Sequence, residues 1–291
     1  MNNLAGMAEC YRRQYGQETE ALFKALERPF KKIALINPFL KRERLLSIIG
    51  EAEPHKILGL TFYHLPQEEK PRLIDGLLSH YFMDASSVLA PMLLPLEPNM
   101  RVLDMCAAPG GKLLVMISRM ITGLSFVASD ISRARSERLR RVLREFLPGE
   151  YLRRQVNVRT EDALRFGLKE PSTYDAILLD APCSSEGHVV KDPALLAKFS
   201  GLKKSLPMRQ YALLASALLA LKPGGHVLYA TCSINLNEND MVIKRIVERK
   251  ISMCQLVPMP ALLGEKTKFG IAVLPHRHHA GPAYLCLLKR L

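Results

Sequence analysis

The sequence predicts an α/β fold built on a mostly parallel sheet, and three observations carry that prediction. Downstream of "PLEPNM" (95–100), short apolar runs alternate with helical patterns. Several of the runs end on an acid or a cysteine, where sites of open α/β sheets gather. The tail then offers two more strand candidates with no long helix between them. The runs "RVLDM", "LSFVASD", "LRRQVNV", "DAILLD" and "HVLYATC" are separated by stretches such as "DISRARSERLRRVLREF" and "LKKSLPMRQYALLASALLAL", the alternation of βαβ units. With "FGIAVLP" and "PAYLCLLK" they make a seven-stranded sheet with an antiparallel edge. Ahead of it, residues 17 to 80 are charged and helical in pattern and punctuated by Pro29, Pro38, Pro54, Pro66 and Pro71. The expected organisation is a small helical module over 1–80 and a catalytic domain over 81–291.

A chain of 291 residues with 48% hydrophobic content can hide roughly three quarters of its unfolded surface. The excess of 41 Lys and Arg over 28 Asp and Glu, a formal +13, favours a polyanionic partner, nucleic acid before acidic membrane. No apolar run approaches the roughly 18 residues of a membrane span, and "MNNLAGMAECYRRQYGQ" lacks the apolar core of a secretory signal. A cytoplasmic protein without membrane attachment is expected. The six cysteines (10, 106, 183, 232, 254, 286) include no Cys-x-x-Cys pair, which argues against a disulfide framework or a zinc ribbon.

The segment "RVLDMCAAPGGKLL" has a strand, a small-residue turn and a helix start. Ala107, Ala108, Pro109, Gly110 and Gly111 let backbone approach a ligand, and the free N–H groups of the next helix favour a negative group. A P-loop needs glycine at 106 and Ser or Thr at 113, where Cys106 and Leu113 stand. The G-x-G-x-x-G spacing of a dinucleotide site is absent. There remains a smaller nucleoside ligand such as S-adenosyl-L-methionine (SAM), whose ribose asks for an acid at the next strand end. Asp130 in "VASDIS" is that acid, and Asp162 in "VRTEDALRF" is available to the adenine amino group.

"LDMCAAPGGK" (103–112), "LLDAPCSSEG" (178–187) and "YATCS" (229–233), in this order, resemble the Nop/Sun (RsmB/RsmF-type) family of SAM-dependent RNA cytosine-5 methyltransferases over roughly residues 80 to 291. "YFMDASS", "LKPGGHVLYATC", "NEND" and "PHRHHAGPAY" are weaker matches. The resemblance implies a Rossmann-like class I methyltransferase fold. It also implies that Cys106, Ala107, Ala108, Pro109, Gly110, Gly111 and Lys112 line the methionine part of SAM, that Asp130 holds the ribose and Asp162 the adenine, and that Asp180 sits between SAM and the target base. The sequence departs from the family at Met83, where Gln is frequent, and at Gly281 and Pro282, where an acid and Gly are common. "SSEGH" is specific to a subgroup.

Cytosine C5 is a poor carbon nucleophile until a thiolate adds at C6, so a covalent intermediate is required. Cys183 and Cys232 both stand at strand ends, and chemistry alone does not separate them. DNA cytosine-5 enzymes use a Pro-Cys nucleophile, which favours Cys183. The RNA family resembled here uses the Thr-Cys-Ser position, hence Cys232, with Asp180 on the cytosine N3/N4 edge and Cys183 assisting product release. "DAPC" offers a thiol where amino-nitrogen methyltransferases stack an aromatic, which favours carbon methylation.

Between 132 and 165 stand ten arginines against five acids, and Arg12, Arg13, Lys31, Lys32, Lys41, Arg42 and Arg44 form a second basic group. Both fit an RNA partner, with the N-terminal module as platform. His276, His278 and His279 have no Cys or carboxylate at ligand spacing, so no metal is expected and a contact with RNA or the active-site loop is. The target cytosine has to be unstacked, in a loop or flipped out. Ribosomal RNA is the first substrate expected and tRNA the second, acted on by a monomer. The rivals are a non-catalytic RNA-binding assembly factor on the same fold and a DNA cytosine-5 enzyme working through Cys183.

Overall fold

The structure is a computed structural model that describes residues 3–66 and 69–291. It opens with α1 (Asn3–Tyr15) and α2 (Thr19–Glu27), followed by β1 (Lys32–Ile36), α3 (Arg42–Ile49), β2 (Pro54–Ile57), β3 (Leu60–Tyr63), the short pair β4 (Leu73–Ile74) and β5 (Leu77–Leu78), and β6 (His80–Asp84). Strands β2, β3, β1 and β6 form an antiparallel sheet in that order. The helical module expected over 1–80 is therefore corrected: among the described residues helix covers 3–27 and 42–49, and the others form strands, turns and loops. "KIALI", "LTFY" and "HYFMD" carry β-branched and aromatic residues that suit a pleated, half-buried surface. Pro54, expected to break a helix, opens an edge strand, where a missing N–H costs no ladder bond. The sheet also runs past 80, to Asp84.

The two first helices leave this sheet and pack elsewhere. Met7, Tyr11, Leu22, Phe23 and Leu26 form one apolar cluster with Val190, Ile234, Ala272 and Leu274, all from the second part of the chain.

The second part contains α4 (Leu89–Leu93), β7 (Arg101–Asp104), α5 (Gly111–Ser118), β8 (Ser125–Asp130), α6 (Arg133–Phe146), α7 (Gly149–Gln155), β9 (Val156–Thr160), α8 (Phe166–Lys169) and β10 (Tyr174–Asp180). It continues through α9 (Glu186–Lys191), α10 (Pro193–Ala197), α11 (Ser205–Ala220), β11 (Leu221–Thr231), α12 (Asp240–Arg249), β12 (Cys254–Val257), β13 (Glu265–Lys266), β14 (Ile271–Val273), α13 (Pro275–His278) and β15 (Ala283–Arg290). The sheet order is β13-β14-β15-β11-β10-β7-β8-β9, with β12 paired to β15. All seven expected strands are there, and the short β12 and β13 bring the sheet to nine. The ladders from β9 to β11 are parallel, and β15 runs antiparallel to both β11 and β14. "LRRQVNV" divides, its first half completing α7 and its second forming β9.

Successive strand residues face opposite layers. Val102, Ala128, Leu178 and Leu228 pack with α5 and α6 through Leu113, Leu114, Leu139 and Leu143, whereas Leu103, Val127, Ile177 and Tyr229 pack with α11 and α12 through Leu213, Leu214, Ile243 and Ile246. Burial on both faces explains the near-continuous apolar runs of the sequence. Strand order reverses beside β7, with β8 and β9 on one side and β10 and β11 on the other, so the crevice for a ligand opens at the carboxyl ends of β7 and β10.

Candidate active site

That crevice gathers the residues that the sequence singled out. Gly110 lies at φ +118° and a Cβ there would stand 2.9 Å from Leu139 Cδ1, while a Cβ on Gly111 would stand 2.9 Å from Tyr81 Cε1. The turn is therefore closed to larger residues and lets α5 start directly at the cavity. Cys106, Ala107, Ala108, Pro109, Gly111, Lys112 and Asp180 line this cavity together with Asp104 and Tyr81. Gly110 does not line it but caps α5. Cys106, Asp130 and Asp162 line the adjoining cavity with Arg135, Arg209 and Leu213. Each acid also has a local task. Asp130 Oδ1 accepts from Ser132 N, which in turn caps α6, and Asp162 Oδ1 accepts from Leu164 N.

Asp104 is the residue that sequence reasoning missed. It is 1% exposed, and among the described residues neither carboxylate oxygen has a hydrogen-bond partner of good geometry, the Cys106 backbone N–H being near enough only to favour its charge. Burial, and then the Asp180 charge, push its pKa up to about 8. Asp130 Oδ2 has Arg135 Nη2 at 3.3 Å but no hydrogen bond. A ligand with an ammonium or sulfonium group beside Asp104 and sugar hydroxyls beside Asp130 would satisfy these orphaned acceptors, so the residues present fit SAM. A buried acid ending the strand before a small-residue turn was the available signal.

On the other side of Asp180 lie the thiols. Cys183 Sγ and Cys232 Sγ are 3.0 Å apart, and Ser185 Oγ lies 3.4 Å from the first and 3.1 Å from the second. The hydrogen bond from Cys183 draws the Cys232 pKa down, with Ser185 and the Lys112 ammonium acting the same way against burial and the Asp180 charge. Cys183 moves up, through that same bond, burial and the nearby Glu186 charge. Cys232 is solvent-exposed. Lys112 Nζ donates to Asp180 Oδ2 at 2.7 Å. Burial works against the Lys112 charge, but Asp180 more than offsets it and its pKa rises. The geometry thus pairs two sulfurs of which Cys232 is the one whose surroundings favour the thiolate and Cys183 the one favoured as thiol. Burial pushes both Cys106, which lines the cavities, and Cys286, which is core, up toward the thiol form.

Two buried carboxylates tie the cysteine loops together. Glu238 accepts from Ser184 N (3.0 Å), Ser184 Oγ (2.6 Å), Gln210 Nε2 (2.8 Å) and Asn235 Nδ2 (3.0 Å). Glu186 accepts from Ser233 Oγ (2.9 Å), Ile234 N (3.2 Å) and the Tyr11 hydroxyl. The Ser184 hydroxyl lies 2.5 Å from Glu186 Oε1 as well, yet has one proton for two acceptors, and burial pushes the Glu186 carboxyl toward its protonated form. From α1, Tyr15 donates to Ile234 O, and Gln14 both donates to Asn235 Oδ1 and accepts from Leu236 N. The N-terminal helix therefore bolts the segment that follows Cys232. Its only sequence signals were "SSEGH", "NEND" and two tyrosines four residues apart.

Of "PHRHH", expected to contact RNA or the active-site loop, His276 and Arg277 are paired within the protein. His276 Nε2 lies 2.8 Å from Glu18 Oε2, and Arg277 pairs with both Glu18 and Glu265. The segment is a turn of helix, α13, and not extended. Among the described residues no group of three His, Cys, Asp or Glu is placed to hold a metal.

Residues 91–289 match the family described as 16S rRNA methyltransferase RsmB/F. The chain is 35% identical over 236 residues to the 5-cytosine rRNA methyltransferase NSUN4 of Bos taurus, covering 74% of this chain and 61% of the relative. It is 31% identical over 230 residues to the mitochondrial tRNA (cytosine(34)-C(5))-methyltransferase of Mus musculus, covering 74% of this chain and 65% of that one. It thus spans less than two thirds of either relative's length. The crystal structure of a methyltransferase homologue from Pyrococcus horikoshii superposes with a TM-score of 0.76 over 97% of this chain and 94% of that one, at 22% identity, and so shares the fold.

Proposed function

Since the chain belongs to the RsmB/F methyltransferase family, we propose that it transfers a methyl group from SAM to C5 of a cytosine in RNA through a Cys232 adduct. The observation that carries this reading is the pairing of a lowered-pKa Cys232 with the raised Cys183 beside Asp180 and Lys112. Cys106 to Gly111 would cradle the methionine part of SAM, with Asp104 opposite its ammonium group, Asp130 on the ribose and Asp162 on the adenine. SAM, when bound, supplies the electrophilic methyl.

The chain's own residues do the rest. The Cys232 thiolate forms a bond to cytosine C6, and the electron pair of the C5–C6 double bond becomes available at C5. Asp180, oriented by Lys112, takes the N3/N4 edge, and the Lys112 ammonium stabilises charge that develops on the ring. Once Cys232 is bonded to C6, Cys183 no longer hydrogen-bonds a thiolate and gives its proton to solvent; after transfer it takes the C5 proton, the C5–C6 double bond re-forms and Cys232 leaves C6 with its electron pair. The same pair of sulfurs thereby serves attack and release.

Ribosomal RNA is the first substrate proposed and tRNA the second, because the relatives named above act on one or the other. A cytoplasmic monomer whose N-terminal part binds RNA completes the proposal. Its nine basic residues from Arg12 to Arg44 are all exposed. The test is incubation with radiolabelled SAM and separately purified ribosomal and transfer RNA, followed by nucleoside analysis. Label in 5-methylcytidine from wild type and none from Cys232→Ala is expected. Label in an N-methylated nucleoside, or no label with either RNA, would overturn the reading.

A further inference from the structure

A cavity larger than the one beside Asp180 opens elsewhere on the molecule. It is an open groove of ≈ 480 Å³ between the N-terminal ends of α11 and α12, lined by Lys203, Lys204, Lys244 and Arg245, with Asn237 and Met241 between them. Its size is that of clefts that hold ligands of about 300–1,000 Å³. Both helices start on the carboxyl edge of the sheet, since one follows β10 and the other follows β11. Asn235 and Asn237, which wall the groove, belong to the segment that continues directly from Cys232. The adenine side of the crevice lies against Arg209 and Leu213 of α11, a different lining from the groove's, so the groove is not a lobe of the SAM site.

Its charges are in excess of what the fold uses. Lys203 and Lys204 are exposed and make no ion pair among the described residues. Among the described residues Lys244 is met only by Glu248, at 3.8 Å, the single acid in the lining. Arg245 lies over the Tyr211 ring at 4.5 Å, which fixes its guanidinium at the groove while leaving N–H groups for an anion. Asn237 is exposed with no side-chain hydrogen bond among the described residues, and Met241 is 49% exposed, an apolar surface on which a base can lie.

We propose that this groove binds the phosphate backbone of a single-stranded RNA segment on one side of the target cytosine, leading it over the lip formed by residues 235–241 to Cys232. The proposal rests on the RNA-methyltransferase reading above. Single-stranded RNA fits better than a duplex, because a groove between two helix ends admits one backbone and the target has to be unstacked.

The probe is a short, labelled, cytidine-rich single-stranded RNA, titrated at several salt concentrations against wild type, Lys203→Ala/Lys204→Ala and Lys244→Gln/Arg245→Gln, with SAM binding as the check on folding. The expected result is weaker RNA binding by about tenfold in each double variant and a salt slope smaller by about 0.7 for each phosphate no longer neutralised. SAM affinity should be kept, and on an RNA that wild type methylates KM should rise by more than kcat falls. Unchanged RNA affinity and salt slope in both variants would overturn the groove even if wild type methylates RNA. The groove is equally overturned if a polyglutamate peptide, and not RNA, loses its binding in the variants, since the occupant would then be an acidic protein. Should wild type bind the RNA through these four residues but methylate nothing, the groove stands and the catalytic reading falls. If Lys244→Gln/Arg245→Gln loses SAM binding through misfolding, the exposed lysine pair alone decides.

Discussion

Cys232 and Cys183 share one hydrogen bond, yet what surrounds them separates their roles: Ser185 favours charge on both, but Lys112 favours it on Cys232 whereas Glu186 opposes it on Cys183. Removing the donor should undo part of this. In Cys183→Ala the pH midpoint for alkylation of Cys232 is expected to move up by about one pH unit, and in Cys183→Ser, which keeps a donor, by less. An unmoved midpoint in Cys183→Ala would remove the thiol pair from the mechanism. Asp104 offers a second residue-scale prediction. Its carboxyl is held near 8 against an unfolded value near 4, so the protein loses stability as pH rises from about 4 to about 8, while the native group remains protonated and the unfolded one does not. Thermal melts without SAM should therefore show Asp104→Asn gaining on wild type across that interval, and SAM titrations should show the variant binding more weakly. The site motifs were legible because they are local: the "APGGK" turn, Asp130, Asp162, Asp180 and both cysteines sit at or just after strand ends. Asp104 was overlooked because nothing in the sequence says that a strand-terminal acid will be buried without a donor.

The βαβ elements declared themselves through long apolar runs, and the structure keeps all seven of those strands. The N-terminal sheet did not, since its strands are four or five residues long and lie among charged stretches that imitate helix surface. Nor were its partners visible, because β1 pairs with β6 across more than forty residues. More distant still is the contact of Tyr11 with Glu186, 175 residues apart. That contact belongs to an element, α1, that braces two loops at once. Tyr11→Phe leaves a buried carboxyl one donor short and is expected to cost about 1–3 kcal/mol in urea unfolding. It should also slow Cys232 alkylation or adduct formation, although Tyr11 touches neither thiol. A variant with normal stability and normal Cys232 reactivity would contradict the bracing role.

Taken whole, the molecule is a basic chain whose amino-terminal helices are part of the catalytic body and whose small sheet forms a separate layer. Deleting residues 3–27 removes no residue assigned to chemistry, but it exposes Val190, Ile234 and Leu274 and unbolts Asn235. Such a chain is expected to melt lower and to lose most methylation while any residual SAM binding persists. Undiminished methylation would show that the helices are dispensable. The net charge of +13 foretold a polyanionic partner, but not the groove between α11 and α12, whose cations come from two segments forty residues apart. The assignment of attack to Cys232 and release to Cys183 is decided on denaturing gels after incubating wild type, Cys183→Ala and Cys232→Ala with SAM and unmodified RNA. A covalent protein–RNA band that accumulates in Cys183→Ala and is absent from Cys232→Ala is the expected result; a band that persists in Cys232→Ala and vanishes in Cys183→Ala would contradict it.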